Sequence, residues 1–146
     1  MQATGTNVQH IQNFAAPEGS LLSHACEALN NHLDFTFAVP PRCPLHIKMY
    51  FADPTGTARK LQAYVDGEKV SPEIDIGALG SSGGTSDVNA QSAETGLLEL
   101  ALIPSQGSGP ALISGIQIYA TQECPKAVTK VFESTGARCI EQQNCR

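Results

Sequence analysis

The chain has 146 residues, enough for one domain with a substantial core but too few for two that each bury one. Its formal charge is -5, and the nine Lys and Arg residues form no cluster that would displace counterions from phosphate, which argues against a nucleic-acid partner. Apolar runs such as 97–104 and 111–119 are too short to cross a bilayer and are not basic amphipathic helices, so no membrane insertion is expected of them.

Residues 1–20 are polar, with Val8, Ile11 and Phe14 as anchors for a short edge strand near 7–14 and Pro17, Gly19 and Ser20 marking a loop. The opening MQATGTNVQH has neither a basic n-region nor an apolar h-region, which fits a chain whose signal has been removed as well as a cytosolic one. From Ser20 to Leu29 the spacing of Leu21, Leu22, Ala25 and Leu29 predicts one or two helical turns, with a loop carrying apolar plugs as the competing reading. Asp34 to Val39 alternates Phe35, Phe37 and Val39 with Thr36 and Ala38, a strand that Pro40, Pro41 and Pro44 bring to an end.

The most regular stretch is 45–70. Leu45, Ile47, Met49 and Phe51 alternate with His46, Lys48 and Tyr50, and Leu61, Ala63 and Val65 alternate with Lys60, Gln62, Tyr64 and Asp66. Period two predicts two strands with one buried face each. Asp66-Gly67 follows as a turn signal, and Asp53-Pro-Thr-Gly-Thr forms a polar link between the strands, of the kind that gathers at the ends of a sandwich. Ile74 and Ile76 share a face of a further short strand, whereas the small polar run 80–94 predicts a long loop. Leu98, Leu100 and Leu102 alternate with Leu97, Glu99, Ala101 and Ile103; the second face is also largely apolar, so this strand is expected to be central and covered on both sides. Residues 105–110 make a connection without the Gly-Lys-Ser/Thr of a phosphate loop, and a last strand spans 111–119. In the tail, Pro125 at a first helical position, the spacings Ala127 to Val131 and Val128 to Phe132, and Gly136 as a terminator predict a short docked helix.

Candidate chemistry is sparse. His10, His24, His32 and His46 share no ligand spacing and read as surface or packing residues, so no metal site and no cofactor is assigned. Glu73, Asp75 and Asp87 are oxygen donors suited to a hard cation, but the alternation of an EF-hand loop is absent. No feature raises the pKa of one carboxylate of a pair, and no catalytic residue is assigned. The five cysteines, Cys26, Cys43, Cys124, Cys139 and Cys145, lack a Cys-x-x-Cys pair and read as a disulfide set of an oxidising compartment. Five choices of unpaired cysteine times three pairings of the remainder leave 15 connectivities open.

The order of Phe35-Thr-Phe-Ala-Val-Pro, Leu45-His-Ile-Lys-Met-Tyr-Phe-Ala-Asp, Lys60-Leu-Gln-Ala-Tyr-Val-Asp-Gly, Asp75-Ile76, Gly96-Leu-Leu-Glu-Leu-Ala-Leu and Ala111-Leu-Ile-Ser-Gly-Ile-Gln-Ile resembles the malectin and malectin-like family over about residues 34–119. The resemblance implies an all-β, galactose-binding-like jelly-roll sandwich, and with the residue patterns the chain reads as that sandwich over 1–120 followed by a short helical, cysteine-containing tail over 121–146. It implies a noncatalytic module, secreted or at the cell surface, that recognises an oligosaccharide or glycoprotein. In this reading Asp53 and Arg59 hydrogen-bond sugar hydroxyls together with Thr55, and Tyr50 or Tyr64 supplies stacking area. Pro54, Thr55 and Gly56 stand where the family has aromatics, Leu29, Asn30 and His32 stand where others are expected, and Ser108 or Gly109 replaces an acid. A structural or protein-interaction module, with the tail meeting a protein partner, is the alternative.

Overall fold

The computed structural model describes residues 2–4, 8–12, 20, 22, 24–28, 32–121 and 129–133. Thirteen strands and one short helix form its regular structure: β1 Gln2–Thr4, β2 Val8–Gln12, β3 His24–Ala28, β4 Leu33–Ala38, β5 Pro44–Phe51, β6 Lys60–Val65, β7 Glu68–Lys69, β8 Ile74–Asp75, α1 Ile76–Leu79, β9 Gly84–Gln91, β10 Leu97–Pro104, β11 Leu112–Ile113, β12 Gly115–Ala120 and β13 Thr129–Glu133. A six-stranded sheet runs β1-β4-β10-β6-β7 with β8 also on β6; a four-stranded sheet runs β13-β12-β5-β9; and a three-stranded sheet runs β11-β3-β2. Each pairing is antiparallel.

The strands with large alternating residues form where their pattern predicts. Leu33, Phe35 and Phe37 of β4, Leu61, Ala63 and Val65 of β6, and Leu98, Leu100 and Leu102 of β10 give the six-stranded sheet its buried face. Leu45, Ile47, Met49 and Phe51 of β5 meet them with Ile116 and Ile118 of β12, and one continuous core results. Removal of these side chains from water is the main driving force for the sandwich. The three-stranded sheet adds Ala25, Cys26, Ala28, Leu112 and Ile113 to the same core. At the β6–β7 hairpin, Asp66 and Gly67 take positive φ values of 51° and 84°, as a two-residue turn with the twist of its strands requires. The Asp66 carboxylate also accepts the Glu99 backbone N–H at 3.0 Å, which ties the turn to β10.

Four expectations are corrected. Residues 24–28, read as helical turns, form β3, because β2 and β11 on either side offer backbone partners that a lone helical turn lacks. The supposed loop 80–94 contains the eight-residue edge strand β9, paired along its length with β5. Its inward positions are Gly84, Ser86, Val88 and Ala90, so the alternation is present but carried by small side chains. Strand β10 is central in hydrogen bonding, lying between β4 and β6, yet its second face is open: Leu97 is 45% and Ile103 37% exposed. Within the tail, Thr129–Glu133 is a strand on the edge of β12 rather than helix, since the open ladder of β12 satisfies backbone groups that a short helix leaves to water. The sole described helix is α1, a single turn capped by Asp75, whose Oδ1 accepts from the Ala78 N–H at 3.1 Å. Phe14, Leu29, Cys124, Pro125, Ala127, Val128, Gly136, Cys139 and Cys145 lie outside the described residues.

Candidate functional site

The polar link after Phe51 carries the chain from the four-stranded sheet to the six-stranded one, so Asp53, Thr55 and Arg59 lie where the sheets meet. Arg59 immediately precedes β6, and its side chain is only 1% exposed. A buried guanidinium requires compensating charge and acceptors. Asp53 Oδ2 lies 2.7 Å from Nε and Glu27 Oε2 lies 2.6 Å from Nη2. Nη1 donates to the Pro110 carbonyl at 2.7 Å, and Nη2 also donates to Thr55 Oγ1 at 3.3 Å. The Nε–Oδ2 contact is an ion pair without the angle of a hydrogen bond, and among the described residues neither atom has another hydrogen-bond partner. Asp53 Oδ1 is better satisfied: it accepts from the Thr55 hydroxyl at 2.6 Å and the Thr55 N–H at 2.9 Å. Two carboxylates therefore surround one cation.

Outside this buried node lies an open cavity of about 600 Å³. Its polar lining includes Thr57, Lys60, Glu73, Asp75, Gln106 and Ser108, and among the described residues no aromatic ring borders it. Lys60 follows Arg59 but points the other way, as alternation along β6 dictates. Its Nζ is 4.0 Å from Glu73 Oε1, with both side chains about half exposed at 50% and 48%. The Ser105 hydroxyl donates to Glu73 Oε2 at 2.7 Å and thus holds the second oxygen of that carboxylate. Close approach of the loops depends on Gly109: a Cβ there would fall 2.8 Å from Thr57 Cγ2.

Of the residues singled out in the sequence, Asp53, Thr55 and Arg59 are brought together, and of the three Arg59 borders the cavity. Tyr50 and Tyr64 are on separate sheets and outside its lining. The Tyr50 hydroxyl donates to Gln117 Oε1 at 2.6 Å, and Lys48 Nζ sits 5.6 Å from the ring centroid. Tyr64 is half-buried on β6, opposite Ala101 and Lys69. Sequence reasoning missed Glu27, which follows Cys26 in a segment read as helical, and missed Lys60, Gln106 and Ser108 as cavity residues. The Gly- and Ser-rich connection 105–110 between two strands was the available signal for the last two.

Among the described residues, no group of three or more His, Cys, Asp or Glu side chains converges as a metal site. The three acids considered as cation ligands have different protein partners: Glu73 meets Ser105, Asp75 caps α1, and Asp87 contacts His46 Nε2 at 2.8 Å. His46 also contacts Asn89 Oδ1 at 3.0 Å and packs on Tyr119 with ring centroids 5.0 Å apart, as a packing histidine does.

No protein-family model and no curated protein matches the sequence. Solved structures do. A family 35 carbohydrate-binding module from Clostridium thermocellum superposes with a TM-score of 0.59 at 16% identity, covering 82% of this chain and 92% of that one. The ANXUR1 extracellular domain from Arabidopsis thaliana gives 0.61 at 13% identity, covering 84% of this chain and 38% of that one. A complex of the plant peptide RALF23 with FER and LLG2 gives 0.60 at 18% identity, with coverages of 82% and 40%. The chain thus spans most of the carbohydrate-binding module but less than half of the plant receptor chains. At these identities the likeness is one of fold alone: a β-sandwich like that of the carbohydrate-binding module and the plant receptor extracellular domains. No described helix is long and apolar enough to cross a membrane.

Proposed function

We propose that this domain is a secreted or cell-surface recognition module that binds glycan hydroxyls in the cavity at its strand ends. The observation that carries this reading is the mixed lining of that cavity, where two carboxylates, an ammonium, an amide and hydroxyls surround about 600 Å³ of open space. Sugar hydroxyls both donate and accept, and hydrogen bonds to charged partners are the stronger kind. With no ring among the described lining residues, affinity comes from polar contacts to Lys60, Glu73, Asp75, Gln106 and Ser108. Asp53 and Arg59 act from beneath, their charges being matched inside the protein, and Thr55 links the two. A glycan screen with the full chain tests the proposal. Saturable binding of at least one glycan, weakened several-fold by Glu73→Gln with Asp75→Asn, is the expected result; the absence of saturable binding across the screen overturns it.

A second reading, docking of a protein partner, is favoured by the open outer face of β10, where Leu97 and Ile103 are the exposed apolar residues. It predicts that Ile103→Lys abolishes capture of that partner while leaving glycan binding unchanged.

The compartment reading carries a proposal of its own, that the cysteines are oxidised. Burial of Cys26 and Cys43, at 2% and 0%, supports it. Peptide mapping without reductant should find neither as a free thiol, and alkylation of both in the native protein under denaturant would overturn the assignment.

A further inference from the structure

We propose that Arg59 is the positioning residue of the cavity, fastening two of its walls through its guanidinium and the third through its backbone carbonyl, and that Glu27 on the three-stranded sheet is the remote anchor of the guanidinium. The first wall, 53–58, is held through Asp53 Oδ2 at Nε and Thr55 Oγ1 at Nη2. The second, 105–110, is held by the Nη1 hydrogen bond to the Pro110 carbonyl. The third is the N-terminal turn of α1: the Arg59 carbonyl accepts from the Ile76 N–H at 3.0 Å and the Gly77 N–H at 3.2 Å. Flanking backbone bonds align with the same fastening, from Gly109 N–H to the Ala58 carbonyl at 3.1 Å and from Ser105 N–H to the Lys60 carbonyl at 2.8 Å.

Only a guanidinium fits this role. It presents donors in a fixed planar fork, whereas an ammonium is a point charge that cannot span Asp53, Glu27 and Pro110 at once. Glu27 contributes from outside the cavity, with its side chain 12% exposed and 2.6 Å from Nη2. Its carboxylate fixes the plane of the fork and so the direction of Nη1 toward Pro110. The arrangement makes the cavity a unit that is assembled or lost together. Its meaning for ligand binding rests on the proposed function, but the fastening itself is measurable without any ligand.

Hydrogen exchange on the full chain, comparing the wild type with Arg59→Lys and Glu27→Gln, tests the inference. Exchange through local opening reports the stability of each segment separately. The wall amides of Ile76, Gly77, Ser105 and Gly109 should exchange about tenfold faster or more, the effect of losing one charge-assisted hydrogen bond. Amides of the β5–β9 ladder should stay within about twofold of wild type on the same grounds. Uniform acceleration at both places would make Arg59 a general stabilising residue and overturn the proposal, as would unchanged wall amides. If Arg59→Lys does not fold, Glu27→Gln decides, since it keeps the side-chain size and removes only the charge. A positive glycan screen with unchanged wall amides would leave the binding reading standing and remove this one; a negative screen with accelerated wall amides would do the reverse.

Discussion

Arg59 and Lys60 are consecutive, both cationic, and placed in opposite circumstances. Arg59 is 1% exposed and touches two carboxylates within 2.7 Å, whereas Lys60 is 50% exposed and stands 4.0 Å from one. A single step along an extended backbone turns a side chain from interior to solvent, and the energetics turn with it. Inside, the guanidinium needs an opposing charge and acceptors because an unmatched charge is costly to bury; outside, water does most of the compensating. Residue type therefore says little about whether a charge serves ligand or fold. Its parity along the strand says much more.

Breaking the buried half of this comparison should have the largest effect. Asp53→Ala leaves the guanidinium with the Glu27 carboxylate but removes one of its two charge partners and the acceptor of Thr55. Chemical denaturation should show a loss of about 3 kcal/mol. Gly109→Ala comes next: its Cβ would sit 2.8 Å from a β-branched neighbour, and overpacking of this kind costs about 1–3 kcal/mol. Thr57→Ser removes the opposing methyl and should recover most of that loss, which a double-mutant cycle would reveal as coupling. The exposed half gives the smallest change. Lys60→Ala removes a loose surface pair and should shift stability by no more than about 1 kcal/mol, while weakening any glycan seated in the cavity. A Lys60 variant as unstable as the Asp53 variant would erase the distinction.

Much of the fold was legible because its core strands alternate large apolar residues with polar ones. Phe35 and Phe37, Ile47 and Met49, and Leu98 and Leu100 leave little choice of face. What escaped reading lacked that contrast. In β9 the inward row is Gly84, Ser86, Val88 and Ala90, whose composition matches that of a loop; only the neighbouring ladder of β5 makes it a strand. In β3 the short His24–Ala28 run has no β-branched residue, and its fate is decided by β2 and β11, which lie on both sides in space and far away in sequence. The site was half legible for the same reason. Asp53, Thr55 and Arg59 are close in sequence and were grouped together, but Glu27 arrives through tertiary contact, and nothing in the local spacing distinguishes a charge turned inward at residue 59 from one turned outward at residue 60.

The pairing of β13 with β12 has a practical consequence for anyone expressing the domain. Residues 115–119 give their outer ladder to Thr129–Glu133, so a fragment ending near residue 120, where the patterned sequence stops, would bare a flat row of backbone donors and acceptors beside β5. Bare edges of that sort recruit other chains. A fragment that keeps Glu133 covers that row with a five-residue strand carrying Lys130 and Glu133, charges that deter pairing. It should self-associate less on a sizing column than the shorter one, which makes the tail a guard against the domain's own copies.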